Sequence, residues 1–417
     1  MKNLHLIVRL KDAVGGYTLG SPFYKFLRVH TLYLIFTSLP GVFINTFLMS
    51  QSDDVNIVLY FNCLMYASMA LTMLFSSGIS RKLSSNTVAA IGIIGFNLLY
   101  LALILLNNRA AEYFYVLGIL NGVAGGFYWM SYSNLLTAST TNGNRDSAIA
   151  IISISGAVVT LLVPLISGFC ISMIPGNWGY ISVFGLALAI AIATCLTMTT
   201  LPKCEIKRTS SQIGRAAKMV FTQKYWMCGM LGETMKGLRE GAFAFILTVI
   251  LYEIVSSEML IGFNTFLSGV ASIVIFVVMS RIMRPQNRVK YMALAIVVLT
   301  LAGILLVFFT NPFTVILLTV LNALFSGFIV NSANCVFYAV VQARPEGNEC
   351  APELFAVREC FFAVGRCAGI LLIVLINMWS DGSRVWQTIS LVILTLTQFG
   401  TMWLNHKSMK MINEGSK

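Results

Sequence analysis

Twelve apolar stretches near the ~20 residues needed to cross hydrocarbon can be drawn along this chain, and that pattern leaves few folds open. Backbone N–H and C=O groups cannot bond to lipid, so such stretches must be helices that satisfy themselves. Composition agrees, with 57% hydrophobic and only 11% charged residues in 417 and a mean hydropathy of +0.81. A soluble domain carries about 25% charged residues. The stretches are 29–50, 55–76, 88–107, 112–137, 148–174, 178–201, 225–252, 256–279, 289–310, 313–341, 354–379 and 384–405.

The chain also repeats itself. Leu120-Asn121-Gly122-Val123-Ala124-Gly125-Gly126-Phe127 returns 201 residues later as Leu321-Asn322-Ala323-Leu324-Phe325-Ser326-Gly327-Phe328. The same shift lays Gly369 on Gly168 and Gly365 on Pro164. Two parallel halves follow, neither able to enclose a pathway alone. The expected division is 1–28 as an N-terminal segment, 29–201 and 225–405 as six-helix bundles, 202–224 as the central loop and 406–417 as a tail.

Basic residues fall on one side: 23 of 28 lie in the ends and alternate loops, against Arg109 and Arg384 opposite. The positive-inside bias therefore predicts both termini in the cytoplasm. The net charge of +12 reads as a topology signal at an anionic membrane face, not as a nucleic-acid footprint. Nine cysteines without a Cys-x-x-Cys pair give no disulfide or zinc pattern. His5, His30 and His406 sit at or outside the drawn span ends, where a surface or interfacial role is expected, and no metal or other cofactor is expected.

Twelve spans, two parallel halves and a basic central loop resemble the major facilitator superfamily. Gly78-Ile79-Ser80-Arg81-Lys82 keeps the glycine and cations of that family's loop between spans two and three, without its aspartate; Arg281 and Arg284 sit in the counterpart loop. The chain departs from the family's drug antiporters, with Gly118 at the usual arginine position of span four and Pro164 without its preceding glycine. Lys236-Gly237-Leu238-Arg239-Glu240-Gly241, Arg358-Glu359 and Gly365-Arg366 are similar to spans seven and eleven of a group of bacterial exporter-like members. The resemblance implies a monomeric transporter of the bacterial plasma membrane, its partners a small-molecule substrate and the lipid bilayer. Gly78, Arg81, Lys82, Arg281 and Arg284 would be its cytoplasmic gate loops.

Charge inside the spans is the chief functional signal, because an ionised group at mid-membrane costs roughly 2.5–3.5 kcal/mol. At 100° per residue Glu233, Lys236 and Glu240 fall within about 60° of one another, with Arg239 about 60° beyond Lys236. Span eleven adds Glu359 and Arg366, while Arg358 lies nearer its cytoplasmic end. Two readings stay open: a neutralising packing network, or a switch in which Glu233, Glu240 and Glu359 exchange protons while Lys236, Arg239 and Arg366 hold substrate. Gly229, Gly232, Gly237 and Gly241 on the same helix serve tight packing or a hinge.

Spans four and ten carry a second set of candidate substrate-binding residues: Asn121, Tyr128, Trp129, Tyr132 and Asn134, and Asn322, Asn331, Asn334 and Tyr338. Asn45, Asn62 and Tyr66 lie in spans one and two. The resemblance implies that spans one, four, seven and ten line the cavity. The functional expectation is a secondary transporter of a small amphipathic, anionic or zwitterionic organic solute, exporting it on the proton gradient. Alternatives are uptake by proton symport, a non-transporting sensor or a lipid-modifying enzyme; the last lacks a catalytic domain, nucleotide loop or metal cluster.

Overall fold

The computed structural model describes residues 19–52, 54–79, 83–140, 145–201, 213–282, 287–342, 350–380 and 383–414, and all regular structure among them is helical. Helices α1 (Ser21–Gly41) and α2 (Phe43–Met49) make the first span. α3 (Val55–Ile79), α4 (Ser85–Leu106), α5 (Phe114–Ser139), α6 (Arg145–Met173) and α7 (Trp178–Met198) make the second to sixth. A short helix, α8 (Ile213–Thr222), precedes a broken seventh span of α9 (Lys224–Phe243) and α10 (Ile246–Val255). α11 (Glu258–Ile282), α12 (Arg288–Phe308), α13 (Pro312–Gln342) and α14 (Ala351–Trp379) follow, and α15 (Arg384–Leu396) with α16 (Gln398–Glu414) completes the last.

Among the described residues, ten stretches are long and apolar enough to cross a membrane; one of them, Ser85–Leu136, is 52 residues long and holds α4 and most of α5. The charged α9–α10 pair adds the twelfth crossing. The chain is an all-α multi-pass membrane protein.

The first span starts earlier than its hydropathy suggests. Pro22 presets the first turn of α1 after Gly20, so Lys25 and Arg28 lie on the helix. Arg28 reaches to its end and donates to Thr200 Oγ1 at 3.1 Å. His30 is thereby nine residues inside α1 and 3% exposed, which corrects its placement at a span end. Pro40 then interrupts the helix before α2.

Close packing needs residues without side chains, as lipid supplies no hydrophobic drive between helices. A Cβ on Gly122 of α5 would lie 2.1 Å from Met65 O of α3, and one on Gly365 of α14 would lie 2.0 Å from Thr234 O of α9. The first six spans meet the last six where α3 packs on α14 and α6 on α11. Near the far face, opposite Ser21 and Glu414, a Cβ on Gly262 would come within 2.8 Å of Pro164 O. On the terminal face, α8 buries Ala216, Met219 and Val220 in a cluster with Trp226, Phe337 and Leu354.

Candidate functional site

Span seven breaks at Ala244 and Phe245, between α9 and α10. Its glycines are not the break: a Cβ on Gly237 would lie 2.4 Å from Phe362 O, and one on Gly241 2.6 Å from Arg366 Cα. They let α9 press against α14.

The break closes one side of a cavity of about 290 Å³. Tyr33, Thr37, Asn45, Asn62, Tyr66, Asn121 and Trp129 line it from the first six spans, with Ala244 and Phe245 from the seventh. Among the described residues its lining holds no Asp, Glu, Lys or Arg. Asn62 Nδ2 donates to Asn45 Oδ1 at 2.9 Å and to Val58 O at 2.8 Å, which fixes that pair. Asn121 Nδ2 donates to Met65 Sδ at 3.2 Å; a thioether is a weak acceptor, so this amide is easily won by a better partner.

An aromatic stack stands behind the cavity. Tyr33 and Tyr128 lie 3.4 Å apart between ring centroids at 6°, and His30 Nδ1 is 2.9 Å from Tyr128 Oη. Tyr132 packs 4.7 Å from the His30 ring, and Trp129 sets its edge against Tyr132. Trp129 reaches the cavity, Tyr128 is buried behind it, and Tyr132 and Asn134 are half-buried. His30 and Tyr33 were not legible as members, because what marks them is their contact with Tyr128 of α5, far along the chain.

The charged residues of spans seven and eleven divide into a sealed group and a rim. Glu233 accepts from Lys236 Nζ at 2.5 Å and pairs with Arg358 at 3.0 Å. Lys236 also donates to Asn334 Oδ1 at 3.2 Å, and Arg358 donates to the same oxygen. Arg239 donates to Asn322 Oδ1, sits 3.6 Å from Glu240 and lies over the Phe243 ring. Glu233, Lys236 and Arg239 are each 1% exposed, so they do not open onto a chamber. Placing Arg358 only near the span end missed its role as the second partner of Glu233.

The rim is wetter. Glu240 and Glu359 have side chains 27% and 25% exposed, and Glu359 lies 4.0 Å from Arg358. Arg366 stacks between Phe362 at 3.8 Å and Tyr66 at 4.6 Å, and Tyr66 lines the cavity. Phe362 is shared with Lys236, whose Nζ lies 4.5 Å from the same ring. Asn331 is half-buried on α13; Tyr338 is exposed and packs on Phe355. Of the gate-loop residues, Arg81, Lys82 and Arg284 lie outside the described residues, while Gly78 and Arg281 fall in the last turns of α3 and α11.

The family model of the Major Facilitator Superfamily matches residues 25–370. The uncharacterized protein YqgE of Bacillus subtilis (strain 168) is 24% identical over 373 residues, 88% of this chain and 85% of its own length. An uncharacterized protein from the sodM 3' region of Geobacillus stearothermophilus is 27% identical over 165 residues, 40% of this chain and 76% of its own. Among solved structures, the nucleoside transporter NupG superposes with a TM-score of 0.69 at 15% identity, over 94% of this chain and 100% of that one. A D-xylose-proton symporter superposes at 0.67 with 13% identity, over 90% and 96%. At these identities the structures share the fold.

Proposed function

Because this chain belongs to the major facilitator superfamily, and is a membrane transporter rather than an enzyme, we propose that it carries a small amphipathic organic solute by alternating exposure of its cavity. The direction we assign is proton-coupled export across the bacterial plasma membrane, by a monomer with both termini in the cytoplasm. The observation that carries this reading is the cavity itself: amides and rings of the first six spans close against the break of the seventh. Asn121 supplies a hydrogen-bonding edge and Trp129 an apolar face, which suits a solute with a planar body and polar substituents. Solutes with such substituents are named for the similar structures, a nucleoside and D-xylose. An acidic group on the solute would be drawn toward Arg366, which stacks on the cavity-lining ring of Tyr66.

The proton-exchanging role falls best on Glu240 and Glu359, whose carboxylates are partly open, and Glu233 serves to hold Lys236 and Arg358. Carboxylates beside cations couple protonation to the binding of another charge. The test is a thermal-shift screen of the purified protein against metabolites and drugs at two pH values, followed by flux of any hit in inside-out vesicles. Accumulation driven by an acidic lumen supports proton-coupled export. Equilibration that ignores the gradient removes the coupling, and loss of solute from the lumen with the protons reverses the direction.

A further inference from the structure

On the far face, Tyr180 near the start of α7 donates its hydroxyl to Glu258 Oε1 at 2.6 Å. The same hydroxyl lies 3.4 Å from Thr46 Oγ1 on α2. Glu258 opens α11, where the unpaired N–H groups of the first turn favour an anion. The bond therefore joins the first six spans to the last six. It lies where the two sets pack tightly, since a Cβ on Gly168 of α6 would be 2.6 Å from Glu258 O. Exposing the cavity to the far face requires α6 and α11 to part, and this bond must then break.

We propose that Glu258 is the latch of the far-face gate, and that neutralising its carboxylate favours opening toward that face. An ionised acceptor bonds about twice as strongly as a neutral one, so a protonated or amidated side chain holds Tyr180 less well. The surrounding groups leave the control with Glu258. α7 contributes Tyr180, and α2 contributes the uncharged Thr46. α10 brings Tyr252 and Glu253, the latter facing Arg384 of α15 at 3.7 Å. α6 presents Gly168, with Cys170 the titratable residue of its far-face turns, and the far-face turns of α13, Pro312 to Leu318, bring none.

The inference rests on alternating exposure, and it holds whatever the solute or coupling ion. Hydrogen–deuterium exchange of the full chain in lipid nanodiscs tests it. In Glu258→Gln, peptides covering α2 and the start of α11 should exchange about fivefold faster, and those at the terminal-face ends of α5 and α13 more slowly. Tyr180→Phe should do the same.

Unchanged exchange in both variants would overturn the latch. So would faster far-face exchange without slowing at the terminal face, because that is local loosening. Gly262→Leu, which wedges α6 from α11, separates the two ideas. Reciprocal changes in the wedge with a silent Glu258→Gln reject the latch alone. A wedge without reciprocal changes rejects alternating exposure and the latch with it.

Discussion

The two asparagines related by the internal repeat do different work. Asn121 on α5 faces the cavity and spends one N–H on the sulfur of Met65, while Asn322 on α13 is held as an acceptor by the buried guanidinium of Arg239. The surroundings differ in the same way: the cavity lining is uncharged, and the region around Asn322 and Asn334 holds Glu233, Lys236, Arg239 and Arg358. One backbone pattern therefore serves two ends. Where the amide is left with a poor partner it is available to a ligand, and where it meets a buried cation it becomes part of the scaffold.

The strongest way to break this comparison is Glu233→Ala, which leaves Lys236 and Arg358 buried without their shared anion. Loss of about 3–5 kcal/mol is expected, read as a steep fall in melting temperature or in yield of folded protein. Adding Lys236→Met and Arg358→Met should return most of that loss, because an apolar set of similar volume needs no counter-charge. A melting temperature unchanged by Glu233→Ala would mean that the sealed group bears no structural load.

Smaller effects sharpen it. Asn322→Ala should cost about 1–3 kcal/mol, since Arg239 already has a buried Nε without a partner and loses another acceptor. Glu240→Gln should change stability by less than about 1 kcal/mol, because its side chain is 27% exposed and its pair with Arg239 is partly screened. That variant should instead flatten the pH dependence of flux, and a wild-type pH profile would take the proton role from Glu240. Least of all, Arg109→Ala should leave melting and flux unchanged, as its 3.0 Å pair with Glu112 is on the surface.

Much of the fold was legible in the chain because hydrocarbon imposes one rule on every span: twenty or so apolar residues, coiled to satisfy their own backbone. The repeat of Leu120–Phe127 at Leu321–Phe328 marked the two helices that carry Asn121 and Asn322. Span starts were less legible. Hydropathy places a boundary at the last charge, yet Lys25 and Arg28 ride on α1 with their charged ends directed outward, so the helix begins at Ser21 and His30 is interior. The charge stripe on α9 was visible as spacing, but spacing cannot tell a sealed face from a wet one. What seals Glu233, Lys236 and Arg239 is the approach of α14 at Gly365 and of α13 at Asn322 and Asn334, all more than 80 residues away. The break at Ala244–Phe245 had no local sign, because neither residue stops a helix.

The most direct test measures both repeat-related asparagines for both properties, with a solute found by thermal-shift screening. Titration calorimetry and melting temperature should cross over. Asn121→Ala should weaken solute binding about tenfold with stability held within about 0.5 kcal/mol, while Asn322→Ala should lower the melting temperature and leave the affinity of the folded fraction near wild type. If Asn121→Ala binds the solute as wild type does, or if both variants lose the same property to the same degree, the division between a binding half and a charge-holding half is contradicted.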